Sequence, residues 1–250
     1  SGIAVSSANE IFVADLYNSQ VHIHSMEGAY LHHFTTLVPG RSGRKMTPRD
    51  VSVDGKDTLW VVGRTSILCS SVVQYSRDGQ ELSTFEPQCH LKFVGIALDP
   101  RSNNIVLRSD RRSEVHMYRS DGSLVKEIKG NFALYRSYSI AVNIDGSILM
   151  LNDNMIRVYN QTGQFLFSLG GYGRGDGELG GPRDICTDSS GHIIVADQGN
   201  KRVSVFTSRG QFVRHVDVGQ KMVEHVAVGP EGQLLVTYHT DNTVTVFTSY

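Results

Sequence analysis

A short segment recurs six times along the chain: Gly2-Ile3-Ala4-Val5, Asp50-Val51-Ser52-Val53, Gly95-Ile96-Ala97-Leu98, Ser139-Ile140-Ala141-Val142, Asp184-Ile185-Cys186-Thr187 and His225-Val226-Ala227-Val228. Its anchors at 3, 51, 96, 140, 185 and 226 stand 48, 45, 44, 45 and 41 positions apart, so six units fill 250 residues. A fixed period of this size means one supersecondary unit per repeat, each too small to bury its own apolar face and obliged to stack on its neighbours.

Each unit has the same internal order. A short alternating segment meets a turn, such as Asp54-Gly55, Asp145-Gly146 or Glu231-Gly232, and a strongly apolar strand follows, as in Leu59 to Val62, Ile148 to Leu151 and Ile193 to Ala196. After a polar loop comes a third alternating strand, clearest in Val203-Ser204-Val205-Phe206 and Val244-Thr245-Val246-Phe247. In the first five units Gly28, Gly79, Gly122, Gly163 or Gly210 then marks a tight hairpin into a fourth strand. Short strands with frequent turn signals and almost no helical period mean an all-β chain.

Four strands per period of about 45 residues match one propeller blade. The expectation is an all-β, six-bladed β-propeller with four-stranded antiparallel blades, forming one domain over 1–250. Its blades fall near 1–45, 46–90, 91–135, 136–180, 181–221 and 222–250. The second strand of each blade should be the most buried. The last unit stops in its third strand, so that blade is expected to have three strands, its fourth coming from residues upstream of this chain if at all.

Composition narrows the function. Apolar residues make up 40% and the formal net charge is −1, which excludes a disordered chain and weakens bulk attraction to nucleic acid or anionic membrane. No apolar run approaches the roughly 20 residues of a transmembrane helix, and the opening residues lack the layout of a signal peptide. Cys69, Cys89 and Cys186 are odd in number, widely spaced and without a C-x-x-C. A disulfide framework or a structural zinc is therefore not expected, and a reducing, cytoplasmic location is. The sequon Asn160-Gln161-Thr162 matters only in a secreted protein.

The run Gly191-His-Ile-Ile-Val-Ala-Asp-Gln-Gly-Asn-Lys-Arg-Val-Ser-Val-Phe206 resembles the NHL repeat, following its pattern I-x-V-A-D-x-x-N-x-R-V-x-V-F. Ile11-Phe-Val-Ala-Asp15 with Asn18 is a second copy, and the Gly-rich stretch 170–182 is similar to the family's inter-blade connector. The other units have drifted: Gly63-Arg64, Ser109-Asp110 and Tyr238-His239 stand at the Asp position of the second, third and sixth. The resemblance implies a propeller like those at the carboxyl end of tripartite-motif proteins, where it binds targets for a RING-type ubiquitin ligase or, in several cases, single-stranded or stem-loop RNA. It implies a parent chain that oligomerises through a coiled coil. For this chain it implies a non-catalytic recognition module without catalytic residues, cofactor, metal or membrane association, with a protein or peptide target expected and RNA-dependent post-transcriptional regulation as the alternative.

In a propeller the connectors entering each first strand and the loops between second and third strands emerge on one face. The connectors offer Arg49, Phe93, Arg136, Tyr138, Arg183 and His225. The loops offer Tyr17, Arg64, Arg111, Arg112, Asn200, Arg202, Tyr238 and Asn242. Arg, aromatic and amide side chains serve base stacking and base-edge bonding, and equally serve protein hot spots. The same face carries Asp15, Asp50, Asp110, Asp184, Asp197, Glu224 and Asp241. Mixed signs suit a protein partner better than phosphate.

Plainer roles compete for these residues. Asp15 and Asp197 are suited to capping their own loops, Arg202 to pairing with Asp197, and Asp50 and Asp184 to contacts between blades. Tyr172 is expected to pack over its own loop. The Gly-rich stretch lacks Gly-Lys-Ser/Thr and leads into a strand, so it is no phosphate loop. Arg174-Gly175-Asp176 lies inside the ordinary linker. His22 and His24 share a strand face near His32 and His33, but no clear carboxylate or Cys completes a metal set. His225 is the one inner-strand histidine placed like the zinc ligands of amidating lyases of this fold, too few for that chemistry.

Overall fold

The computed structural model describes residues 2–38, 40, 43–110, 114–129, 139–239 and 243–250. Among them lie six antiparallel sheets in chain order, the blades of a six-bladed β-propeller; five have four strands and the last has three. The described residues contain one single-turn 3-10 helix, Gln198–Asn200, and no α-helix. Among the described residues no helix is long and apolar enough to cross a membrane.

The chain divides into two compact units, Ser1–Gly130 and Asn131–Tyr250. In the first, blade 1 comprises β1 (Ile3–Val5), β2 (Glu10–Asp15), β3 (Gln20–Ser25) and β4 (Tyr30–Thr35). Blade 2 comprises β5 (Thr47–Val53), β6 (Leu59–Arg64), β7 (Ser70–Tyr75) and β8 (Glu81–Phe85). Blade 3 comprises β9 (Phe93–Leu98), β10 (Ile105–Ser109), β11 (Glu114–Tyr118) and β12 (Leu124–Lys129).

The second unit has the same plan. Blade 4 runs β13 (Ile140–Val142), β14 (Ile148–Asn152), β15 (Met155–Tyr159) and β16 (Phe165–Gly170). Blade 5 runs β17 (Asp184–Thr187), β18 (Ile193–Asp197), β19 (Arg202–Phe206) and β20 (Phe212–Asp217). Blade 6 stops at three: β21 (Val223–Val228), β22 (Leu234–Tyr238) and β23 (Val244–Phe247).

Local sequence sets the hairpins. In blade 5, Thr207 carbonyl accepts from Gly210 N–H at 2.9 Å and Thr207 N–H donates to Gln211 carbonyl at 2.8 Å. The same pair of bonds recurs around Gly28, Gly79, Gly122 and Gly163. All five glycines have φ between 80° and 88°. Each ladder shifts register at the last residue or two of its third strand. This is the three-residue hairpin whose last residue must be left-handed, which explains glycine there.

The second strands are the buried ones: every residue of β10, β14 and β18 is buried. Their continuous apolar runs reflect a sheet covered on both faces by adjacent blades. Between blades 1 and 2 the packed residues include Phe12, Ile23 and Phe34 against Leu59, Val61 and Tyr75. Between blades 4 and 5 they include Leu149, Leu151 and Ile156 against Ile193, Val195 and Phe206.

A second periodic device joins neighbouring first strands. Asp50 Oδ2 accepts the backbone N–H of Ile96 at 3.0 Å, one blade on. Asp184 Oδ2 accepts that of Val226 at 3.0 Å, and Ser139 Oγ accepts that of Ile185 at 3.0 Å. In each case the residue preceding one anchor satisfies the next anchor's N–H, so Asp50 and Asp184 make the inter-blade contacts expected of them. Gly2 occupies the same position in blade 1, where a Cβ would fall 1.8 Å from Asp50 Oδ1. Glycine there leaves room for the carboxylate.

One sequence expectation is overturned. Cys69 and Cys89 are bonded, with Cα atoms 4.7 Å apart, while Cys186 is a free thiol. The count and spacing of cysteines missed it because blade geometry, not a local motif, brings the start of β7 beside the segment after β8. Cys69 and Cys89 therefore no longer support the inference of a reducing compartment.

Candidate functional site

In the first unit the β2–β3 and β6–β7 loops are held by short polar braces. Asp15 Oδ1 accepts the N–H groups of Tyr17 at 2.9 Å and Asn18 at 3.1 Å; Oδ2 accepts Asn18 Nδ2 at 2.7 Å. Burial pushes the Asp15 carboxyl up, but these bonds and His22 outweigh it, and its pKa is lowered. Asp15 thus caps its own loop, and Tyr17, at the tip, is 92% exposed. Asp15 Oδ2 also lies 3.3 Å from His22 Nε2, a single pair that does not complete a metal set among the described residues. Burial lowers the His24 pKa, with the charge of His22 adding to it.

The β6–β7 loop is fastened at three points. Ser66 Oγ accepts the N–H of Leu68 at 3.3 Å and of Cys69 at 3.1 Å. His90 N–H donates to Leu68 carbonyl at 3.0 Å, beside the Cys69–Cys89 bond. Between these ties Ile67 is 78% exposed and Leu68 41%. Neither was among the sequence candidates. The available signal was a pair of aliphatics in an otherwise polar loop.

The remaining candidates of this unit divide. Arg64 is exposed at the end of β6 and Arg49 is half-buried on β5. Phe93 is a correction. It is buried at 1% exposure, its backbone paired with Ser70 Oγ and its ring edge-on to His116, because it begins an inner strand. Arg111 and Arg112 lie outside the described residues, as do Arg136, Tyr138 and Asn242 of the second unit.

In the second unit, the D-x-x-N-x-R signature proves to be a clamp on the linker. Asp197, wholly buried, accepts Gly180 N–H at 2.7 Å, Asn200 Nδ2 at 2.8 Å and Arg202 Nε at 3.1 Å. Arg202 Nη1 donates to Arg174 carbonyl, and Nη2 to the carbonyls of Gly175 and Glu178, each at 3.0 Å. Asn200 Nδ2 also reaches Gly173 carbonyl at 2.8 Å. Asn200 and Arg202, ligand-binding candidates by sequence, hold the linker here, their bonded donors divided between the Asp197 carboxylate and backbone oxygens. Asp197 caps its loop and pairs with Arg202 as expected. Tyr172 does not pack over the linker; it is 83% exposed.

Beside the clamp runs a chain of side-chain bonds between blades 5 and 6. Exposed Arg183 donates through Nε to Gln198 Oε1 at 2.9 Å, and Gln198 Nε2 donates to Glu224 Oε2 at 3.0 Å. The same Glu224 oxygen lies 2.7 Å from His239 Nδ1. Tyr238 is a further correction: it is buried at 6% exposure with the Lys221 ammonium 4.9 Å from its ring centroid. His225, half-buried, places Nδ1 3.3 Å from Asp184 Oδ2. Burial raises the Asp184 pKa, but His225, Ser139 and the Val226 N–H together bring it below the ordinary value. Among the described residues no three His, Cys, Asp or Glu side chains converge as a metal site.

The six blades, the linker clamp and the loops define an NHL-type β-propeller. The NHL repeat pattern itself matches residues 179–206, the segment that carries the clamp. Human NHL-repeat-containing protein 4 is 36% identical over 92 residues, covering 37% of this chain and 73% of that protein. The chain belongs to the NHL-repeat family. The E3 ubiquitin-protein ligase TRIM71 of Xenopus tropicalis is 40% identical over 70 residues, 28% of this chain and 9% of the ligase. Protein lin-41 of Caenorhabditis elegans is 46% identical over 48 residues, 19% of this chain and 4% of that protein. Among solved structures, a streptogramin B lyase aligns over 100% of this chain and 82% of its own with a TM-score of 0.68 at 15% identity. At that identity the likeness is one of fold.

Proposed function

We propose that the chain is a recognition module that captures a protein partner through the loops joining second and third strands, and that it serves a larger ubiquitin-ligase chain as its target-binding part. The observation that carries the first part is the exposure of Tyr17, Ile67 and Leu68 on loops braced by Asp15, Ser66 and Cys69–Cys89. Apolar and aromatic tips held rigidly in water lose little entropy on docking and gain by desolvation. RNA binding would call for concentrated cation donors instead. Arg202 spends its guanidinium on three carbonyls and Asp197, and the exposed Arg183 is engaged with Gln198 beside Glu224.

The ligase part rests on the likeness to TRIM71. A reducing cytoplasm, where such a ligase would work, would meet Cys69 and Cys89 as thiols, so the thiol state of the full-length protein bears on it. The test is a photo-crosslinking residue placed at 17 or 67 of the full-length protein, with position 121, on a hairpin turn at the opposite end of its blade, as control. Protein adducts from 17 and 67 but not 121 are expected. Adducts to RNA, or equal protein labelling from 121, would overturn the reading.

A further inference from the structure

Two loop tips of the first unit carry the apolar residues proposed to dock, and different bonds hold them. The Tyr17 loop closes on itself through the Asp15 carboxylate, within one blade. The loop of Ile67 and Leu68 is tied to the segment 86–92, which leads from β8 to β9. Its stem is fixed on that side by buried Ser70, whose hydroxyl accepts the N–H of Phe93 at 3.1 Å and donates to its carbonyl at 3.3 Å. Beyond the stem, the Cys69–Cys89 bond and the His90 N–H donated to Leu68 carbonyl, at 3.0 Å, tie the tip itself.

Burial differs on the two sides of the disulfide. Segment 86–92 is anchored by Pro87 and Leu91, both buried, with Leu91 packed in a cluster that includes Trp60, Phe93 and Ile96. None of residues 66–69 is buried. The tip thus has little apolar contact of its own to hold it, the mark of a segment that opens locally. His90, at φ 84°, is a non-glycine residue in the left-handed region, a conformation that persists only while its surroundings impose it. Once the covalent tie is gone, that strain works against the hydrogen bond from His90 to Leu68. Cys89 is exposed and Cys69 half-buried, so the bond is open to a thiol from solvent.

We infer that Cys69 and Cys89 are a redox-controlled fastener for the docking tip. As a disulfide they hold Ile67 and Leu68 for partner capture; as two thiols they release them. The inference rests on the docking reading above and adds the control of that site. A dithiol carries the reduction. Its first thiolate attacks the exposed Cys89 sulfur, forming a mixed disulfide and expelling the Cys69 thiolate, which takes up a proton. Its second thiolate then displaces Cys89, which is protonated in turn, and the reductant leaves as its own disulfide. Two electrons and two protons pass from the dithiol to the protein, and a small disulfide oxidant runs the sequence backwards. A freed tip must be ordered again before it docks, so reduction weakens capture. The Tyr17 loop has no such bond and serves as the internal control.

The full-length protein is compared oxidised, after dithiothreitol, and after reoxidation with glutathione disulfide. Hydrogen exchange and crosslinking from positions 17 and 67 are the readouts, and alkylation followed by mass spectrometry confirms the thiol state. Reduction should quicken exchange across 66–69 about tenfold and leave 16–19 unchanged. Adducts from 67 should fall about fivefold, and reoxidation should restore both. A chain carrying Cys69→Ser and Cys89→Ser should behave as the reduced protein in either buffer. Unchanged exchange at 66–69 with both thiols free overturns the inference. So does a quickening that extends to 16–19, since reduction then unfolds the unit instead of freeing one tip. A bond that dithiothreitol reaches only on denaturation also overturns it. Adducts from 67 that persist undiminished in the reduced protein overturn it and leave the docking reading standing. Adducts from neither position in any state overturn the docking reading and the inference with it.

Discussion

Arg202→Ala should loosen the linker at 170–182 and leave partner binding intact. The wild-type guanidinium, 16% exposed, bonds a fully buried carboxylate and three carbonyls of the linker. Removing it leaves Asp197 buried with only the Gly180 N–H and the Asn200 amide for company. Breaking a buried pair from one side costs about 3–5 kcal/mol, and the slight exposure of Arg202 places the expectation near the lower end. Arg202→Lys keeps the charge but not the planar fork, so about half of that loss should remain. Urea denaturation gives the stability change, and hydrogen exchange should show faster turnover at 173–180. A stability change under about 0.5 kcal/mol, coupled to lost partner binding, would refute the clamp and return Arg202 to the binding surface.

Three further outcomes follow from the same geometry. Asp184 has its folded pKa below its unfolded value, so its contribution is complete above about pH 4 and lost as pH falls through the folded pKa. Asp184→Asn should cost about 1–3 kcal/mol at pH 7 and show a flatter acid limb in denaturation, and an unchanged acid limb would contradict the bond to Val226 N–H. Gly79→Ala should destabilise by about 2–4 kcal/mol, combining a left-handed backbone with a Cβ pressed on Phe34. Gly28→Ala, at φ 88° in open space, should cost about 1–2 kcal/mol in the same thermal melts, and equal losses would refute the close approach. Alkylation of the unfolded, unreduced chain should label Cys186 alone, and reduction should cost about 3 kcal/mol of stability for a bridge spanning 20 residues; three labelled thiols would contradict the bond.

Much of the architecture was legible because a repeat states itself several times. The six anchors, the hairpin glycines and the buried second strands each recur at a fixed place, so one weak unit is read through the others. The three-stranded last blade followed from the same count. What escaped the sequence depends on distances between blades. Cys69 and Cys89 carry no local motif, and Phe93 and Tyr238 look like surface aromatics until their strands place them in the core. Asn200 and Arg202 offered chemistry suited to a ligand, yet their donors are used by a linker more than 20 residues earlier. Conversely, Ile67 and Leu68 carry neither charge nor ring to mark them as surface contacts, and only the braced loop shows them in water.

The central claim is that a protein docks on the apolar loop tips of the first unit. Once crosslinking from position 17 or 67 has identified the partner, calorimetric titration against Tyr17→Ala and Ile67→Ala chains tests it most directly. The account predicts that at least one substitution costs about 2 kcal/mol or more of binding, roughly a thirtyfold loss, with urea stability unchanged. Wild-type affinity in both variants, or a loss matched by Arg202→Lys, would contradict it.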